Sequence, residues 1–169
     1  MIYAAIIIFL LLVGDLTLQY YNKWKIKKLS INIKSILENT GFPLVKIINN
    51  NREGYMLIDT GANQSYINEL YCNQLDINIS QEEGTTTGFE GVANKTKIGT
   101  FPFKFKNYDM KIKCQILTIN GFDMFADYGL AVVGVLGSDF LKEYGFTINY
   151  DDLIIYPSAK KLKNDILHK

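Results

Sequence analysis

Residues 55–67 read Tyr-Met-Leu-Ile-Asp-Thr-Gly-Ala-Asn-Gln-Ser-Tyr-Ile, an apolar run that ends in an aspartate and then turns on a glycine. The apolar residues before Asp59 predict a buried β-strand. The core behind such a strand holds its last residue in place, and a turn through Thr60 and Gly61 lets backbone amides point at the carboxylate. We therefore expect Asp59 to be rigid, partly desolvated and available for chemistry.

Length, composition and charge limit the function classes. The chain has 169 residues, enough for one compact domain and an appendage, and 48% of them are hydrophobic. Its net charge is +1, from 18 basic and 17 acidic residues. The chain therefore lacks the large positive charge that would attract a nucleic acid or another polyanion, and no nucleic-acid partner is expected.

Few cysteine and histidine side chains are present. Cys72 and Cys114 lie far apart in the sequence, and the single histidine, His168, is near the C-terminus. This spacing predicts neither a metal site nor a bound cofactor, and it argues against a Ser/His/Asp triad. We expect two buried free thiols, with a disulfide between them as the alternative. Carboxylates are then the titratable groups to consider.

Segment 1–22 is predicted to be a transmembrane helix. No charge occurs from Ile2 to Gly14, and Asp15 would lie near the membrane interface. An aromatic and basic flank typical of such an interface follows: Tyr20, Tyr21, Lys23, Trp24, Lys25, Lys27 and Lys28. The alternative is a buried helix of the globular domain. By the positive-inside rule the lysines favour a single-pass membrane protein with a cytoplasmic domain, and a signal anchor that faces outward is the other orientation.

A mainly β domain is predicted at 42–158, after a basic flank and linker at 23–41 with room for a short helical turn and before a polar tail at 159–169. Short runs rich in Ile, Val, Phe and Tyr alternate there with Asn and Gly turns, the pattern of antiparallel hairpins. The expected strands are 44–48, 55–58, 98–105, 110–119, 146–150 and 153–156. Short helices are expected at 68–75 and 138–144.

Residues 58–67, IDTGANQSYI, resemble the active-site strand of the pepsin and retropepsin aspartic proteases, whose Asp-Thr-Gly turn carries the catalytic aspartate. Residues 87–91, TGFEG, resemble the glycine-rich flap hairpin of retropepsins. Residues 131–141, AVVGVLGSDFL, resemble the family's apolar segment with its glycine and short helix, and 146–156 would form the closing hairpin. The three segments occur in the family's order, so the resemblance implies a retropepsin-like closed β-barrel.

The resemblance also implies roles for individual residues. Asp59 would be the catalytic aspartate. The active-site turn would comprise Thr60, Gly61 and Ala62, and the flap that contacts substrate would comprise Gly88, Phe89, Glu90 and Gly91. Thr60 hydroxyls would cross-link two turns, and Gly61 would offer its backbone to the substrate.

Two departures from the family pattern stand out. Retroviral members usually carry an acidic residue just after the Asp-Thr-Gly-Ala turn and an arginine after the later glycine, and these form an ion pair. Here the two places hold Asn63 and Ser138. Phe89 and the charged Glu90 are also unusual for a flap tip. The match is thus to a retropepsin-like domain and not to any one retroviral enzyme.

The chain contains one Asp-Thr-Gly motif, whereas aspartic proteases need two aspartates that share a proton. The second is expected from another copy of the chain, so the prediction is a homodimeric aspartic endopeptidase that hydrolyses polypeptides. If the chain acted alone, Asp139 would be the first candidate for the second acid. One alternative is an inactive binding or scaffold module with the same fold. A membrane-anchored assembly protein is a third interpretation, and it rests on the apolar N-terminus alone.

Overall fold

The computed structural model describes residues 2–87, 93–106 and 108–157, which form a mixed α/β structure. Its α-helices are α1 (Ile2–Leu29), α2 (Lys34–Thr40) and α3 (Ser138–Tyr144), and 3-10 helices lie at Glu69–Tyr71 and Phe122–Tyr128. The strands are β1 (Ile31–Asn32), β2 (Leu44–Asn49), β3 (Arg52–Ile58), β4 (Tyr66–Asn68), β5 (Asn78–Thr87), β6 (Ala93–Phe105), β7 (Tyr108–Leu117), β8 (Val132–Leu136), β9 (Phe146–Asn149) and β10 (Ile154–Pro157).

Seven strands form the main sheet, in the order β2-β3-β8-β4-β7-β6-β5. A pairing of Ile48 in β2 with Lys104 in β6 closes this sheet into the predicted barrel. The pairings are mostly antiparallel, as predicted, but β3 pairs with β8 and β4 with β7 in parallel. Parallel neighbours place the carboxyl ends of their strands side by side, and this arrangement builds the site described below.

The core explains why β8 is apolar along its whole length. All five of its residues are buried, because Val133 and Leu136 pack in the main core cluster and Val132 packs in a second cluster with Phe125. Aromatic side chains fill the space between the barrel and α3: Phe140 lies 6.2 Å from Phe103 and 5.2 Å from Phe146, measured between ring centroids. Because α3 packs through this contact, the segment that joins β8 to α3 is fixed against the barrel.

Residues 31–40, part of the segment predicted as a linker, are built into the domain. Strand β1 pairs with β10 through Ile31 and Ile155, and β10 pairs with β9 in a separate three-stranded sheet. Ile33 is 1% exposed and belongs to the main core cluster. An apolar side chain at this position gains by burial, which draws the segment onto the barrel.

The transmembrane prediction for segment 1–22 is wrong. The segment is helical, as part of the longer α1, but no helix within the described residues is long and apolar enough to cross a membrane. A span takes about 20 mostly apolar residues. Here Asp15 follows the apolar run, and its Oδ2 accepts a hydrogen bond of 2.8 Å from the amide of Gln19.

The alternative of a buried N-terminal helix is also wrong, because the large apolar side chains at 6–13 are 40–68% exposed. The cytoplasmic location of the domain stays a prediction. Helix α3 is confirmed at its predicted bounds, whereas the helix predicted at 68–75 is reduced to the 3-10 turn Glu69–Tyr71. Cys72 and Cys114 are free thiols, half-buried and buried respectively.

Candidate active site

The ends of β3 and β8 place Asp59. The two strands run parallel, with Ile58 paired to Leu136, and Asp59 is the next residue after β3. Its backbone N–H donates to the carbonyl of Leu136 at 3.0 Å. The aspartate is therefore held by the last ladder bond of a buried strand pair, at the carboxyl edge of the sheet.

The turn after Asp59 orients the carboxylate. The backbone N–H of Gly61 donates to Asp59 Oδ1 at 2.8 Å, and the N–H of Ala62 donates to the Asp59 carbonyl at 3.2 Å. This is the arrangement predicted from the apolar run and its glycine turn. Asp59 differs from the prediction in one respect, because its side chain is exposed in the single chain and not partly desolvated.

Ser138, the first residue of α3, ties the active-site turn to the helix. Its backbone N–H donates to the Ala62 carbonyl at 2.8 Å, and its Oγ donates to the Thr60 carbonyl at 2.9 Å. The sequence offers no ion pair here, because Ser138 stands where retroviral members have an arginine. Two hydrogen bonds to the turn instead support it directly.

A second aspartate, Asp139, joins the other end of the active-site loop to α3. Its Oδ2 accepts from the backbone N–H of Ser65 at 2.9 Å, and its Oδ1 accepts from Ser65 Oγ and from the N–H of Phe140, both at 2.7 Å. Ser65 Oγ in turn accepts from the N–H of Gly137 at 3.1 Å. We call this the Ser65–Asp139 clamp. Both carboxylate oxygens of Asp139 are engaged, which makes it a poor candidate for the second acid.

Two glycines let the active-site loop approach β8 closely. A Cβ at Gly137 would lie 2.5 Å from the carbonyl oxygen of Gln64, and one at Gly134 would lie 2.2 Å from that of Tyr66. Neither distance is compatible with a side chain unless the backbone moves. The glycines of the segment AVVGVLGSDFL are therefore explained by backbone packing, of Gly137 against the loop and of Gly134 against the start of β4.

Strands β5 and β6 form the hairpin expected from the flap resemblance, and their pairing runs to Thr87 and Ala93. The predicted flap residues Gly88, Phe89, Glu90 and Gly91 lie outside the described residues. The hairpin contacts the active-site region before its tip: Tyr66 OH lies 3.3 Å from Thr86 Oγ1, within hydrogen-bond distance. The hairpin is thus placed beside the loop that carries Asp59.

Ser65 and Gln115 were not identified from the sequence, and Asp139 was considered only as a candidate for the second acid. Ser65 and Asp139 are 74 residues apart, so no local pattern joins them. An acidic residue in the first turn of α3 was the available signal, because such residues often accept from backbone N–H groups. Gln115 occupies a buried position of β7, and its partners come from three other segments.

Comparisons with known proteins support the fold. No family model and no curated protein matches the chain. Among solved structures, the retroviral protease-like domain of Ddi1 from Leishmania major is similar, with a TM-score of 0.50 and 14% sequence identity over 69% of this chain and 87% of that one. At this identity the likeness concerns the fold alone. The chain thus has a retropepsin-like domain preceded by the helix α1.

Proposed function

We propose that this protein is an aspartic endopeptidase whose catalytic unit is a homodimer, with one Asp59 contributed by each copy. The observation that carries the proposal is the geometry of Asp59. Its backbone is fixed by Leu136, one carboxylate oxygen is held by the Gly61 N–H at 2.8 Å, and its side chain is open to solvent at the carboxyl edge of the sheet.

The chemistry requires two carboxylates that share one proton. The ionised carboxylate takes a proton from a water molecule, which attacks the peptide carbonyl carbon. The protonated carboxyl donates to the carbonyl oxygen and, as the tetrahedral intermediate collapses, a proton passes to the leaving nitrogen. The amide of Gly61 would hold Asp59 in one orientation throughout, which lowers the cost of reorganisation during the reaction.

The second carboxylate is best supplied by a second chain. Asp139, the aspartate considered for this role, already accepts three hydrogen bonds and supports the active-site loop. Domains of the retropepsin-like fold typically dimerise. Because Asp59 is exposed in one chain, it is free to face its symmetry mate, and partial desolvation would follow from dimer formation.

A cleavage assay with the full-length chain tests the proposal. An unstructured polypeptide such as casein should be cleaved by the wild type at acidic to mildly acidic pH, where two facing carboxylates keep one proton. The Asp59→Asn variant has almost the same shape but cannot share that proton, so we expect no cleavage and an unchanged fold by circular dichroism. Residual peptidase activity in a clean Asp59→Asn preparation would rule out the assignment.

Dilution tests the dimer. Activity per chain should fall on dilution and recover on concentration, because a monomer holds half of the site. Excess Asp59→Asn chains mixed with wild type should suppress activity, since heterodimers carry a single catalytic carboxylate. Constant activity per chain at concentrations where sedimentation shows only monomer would contradict the shared pair of aspartates.

The alternative function is a binding or scaffold module that keeps the fold without hydrolysis. It predicts that wild type and Asp59→Asn both fail to cleave casein across the pH range, at protein concentrations where sedimentation shows a dimer.

A further inference from the structure

A buried polar network connects β7, the β5–β6 hairpin and the active-site loop. Gln115 in β7 is 6% exposed, and its Oε1 accepts from Thr96 Oγ1 in β6 at 3.0 Å. Its Nε2 donates to the Thr85 carbonyl in β5 at 3.1 Å and to Oε1 of Gln64 in the active-site loop. One amide group therefore joins three segments.

The chemistry of the partners fixes the orientation of this amide. A backbone carbonyl only accepts hydrogen bonds, so the Gln115 atom that faces the Thr85 carbonyl must be the nitrogen. The oxygen then faces Thr96, whose hydroxyl can donate. Both N–H groups and one lone pair of Gln115 are used, and no other residue type of this length offers two donors and an acceptor in one group.

The surrounding residues leave room for the network and extend it. A Cβ at Gly84 would lie 2.8 Å from Thr96 Oγ1, so glycine at this position leaves room for the Thr96 hydroxyl of the network. The contact between Tyr66 and Thr86 lies next to it along the same two segments. The hairpin is therefore joined at two adjacent points to the end of the active-site loop at Gln64 and to the start of β4 at Tyr66.

We propose that Gln115 is a positioning residue that holds the active-site loop, residues 59–65, at a fixed distance from the β5–β6 hairpin and thereby sets the affinity for the peptide substrate. The inference rests on the proposed function, because a peptide that reaches Asp59 must lie against this loop and beside this hairpin. The side-chain hydrogen bonds of Gln115 go to Thr96, Thr85 and Gln64, and none of these residues is Asp59 or part of the turn that orients it. Its effect should accordingly fall on KM and not on kcat.

The test compares peptide hydrolysis by the full-length wild type, Gln115→Met and Gln64→Met. Methionine keeps the length of glutamine but removes every hydrogen bond of the amide. Each variant should raise KM by about threefold to tenfold, the effect expected from one or two lost hydrogen bonds, with kcat within roughly twofold. Because both substitutions break the same bond, the double variant should raise KM no further than the more affected single variant.

Gln81→Met is the matched control. Gln81 is an exposed glutamine of β5 outside the network, and its substitution should leave KM and kcat unchanged. An unchanged KM in Gln115→Met, a loss confined to kcat, or additive effects in the double variant would overturn the proposal. If Gln115→Met fails to fold, Gln64→Met decides the matter, because Gln64 is exposed and its loss leaves the core intact.

Amide hydrogen exchange separates this inference from the proposed function. In Gln115→Met, exchange should quicken together in residues 59–66 and 84–86, and should stay unchanged in β9, on the other sheet. This result would support the positioning role even if the wild type cleaved nothing. Faster exchange confined to β7 would count against it, whatever the activity.

Discussion

Two aspartates at the edge of the same sheet, Asp59 and Asp139, have opposite surroundings. Asp59 follows β3 on an exposed turn, and its carboxylate accepts one backbone hydrogen bond, from Gly61. Asp139 lies in the first turn of α3, half-buried, and its two oxygens accept three hydrogen bonds from Ser65 and Phe140.

The contrast separates an exposed carboxylate from one that holds two segments of the fold together. A carboxylate whose oxygens are already hydrogen-bonded contributes to stability, because its removal leaves buried donors unpaired. An exposed carboxylate held by a single backbone amide contributes little to stability and keeps an oxygen for chemistry. Substitutions at the two positions should therefore affect different measurements.

The largest expected effect on stability is that of Asp139→Ala. It removes three charge-assisted hydrogen bonds and leaves the buried Ser65 hydroxyl and two backbone N–H groups without their acceptor, so the free energy of unfolding should fall by about 3 kcal/mol. Urea unfolding followed by fluorescence of the full-length chain would measure it. Asp59→Ala is the matched control and should shift the midpoint little. Equal destabilisation by both substitutions would remove the distinction between the two aspartates.

The next effect is that of Ser65→Ala, which removes the hydroxyl that links Asp139 to the Gly137 N–H. We expect a loss of about 1–2 kcal/mol, since the backbone N–H of Ser65 still reaches Asp139. In a double-mutant cycle with Asp139→Ala, the double variant should lose less stability than the sum of the two single losses, because both substitutions break the same bond. Additive losses would show that the clamp does not act as a unit.

A smaller effect is expected from Ser138→Ala, on the side of Asp59. The variant loses the hydrogen bond from Ser138 Oγ to the Thr60 carbonyl but keeps the one from its backbone N–H to Ala62, so stability should fall by about 1 kcal/mol or less. Cleavage of casein should fall several-fold, because the turn that orients Asp59 is less constrained. Ser138→Thr keeps a hydroxyl and should retain most of the activity; a loss equal to that of alanine would assign the effect to packing.

The smallest effect at neutral pH concerns the buried thiol of Cys114. Burial raises the pKa of Cys114 from 9.0 to about 12, with smaller contributions from Cys72 and Asp139. Between these values the unfolded chain binds fewer protons than the folded one, so stability is full below pH 9 and declines as the pH rises toward 12, with a slope below about 1.4 kcal/mol per pH unit. Cys114→Ala should lack this component of the slope, measured by urea unfolding between pH 8 and 10. Identical slopes would contradict it.

Much of the site follows from local sequence. The run of four apolar residues before Asp59 forms the last part of β3, the glycine turn supplies the amide that orients the carboxylate, and the segment 138–144 forms α3 at the predicted bounds. These features depend on neighbours within a few residues, where propensity and hydrophobic periodicity carry the information. The N-terminal segment forms a helix, as predicted, but no helix in the part of the chain that the structure describes is long and apolar enough to cross a membrane.

The sequence alone determined that the chain carries one Asp-Thr-Gly motif, which would be half of the site under the proposed function. The tertiary structure decided which aspartate anchors the loop and which is exposed. It also decided that Ser138 supports the turn by hydrogen bonds without an ion pair, and that Gln115 links Gln64 to β5. Hydrogen bonds between residues 51 to 78 positions apart make these choices. Their partners are set by strand order and by the close approach at Gly134 and Gly137, and a local sequence pattern contains neither.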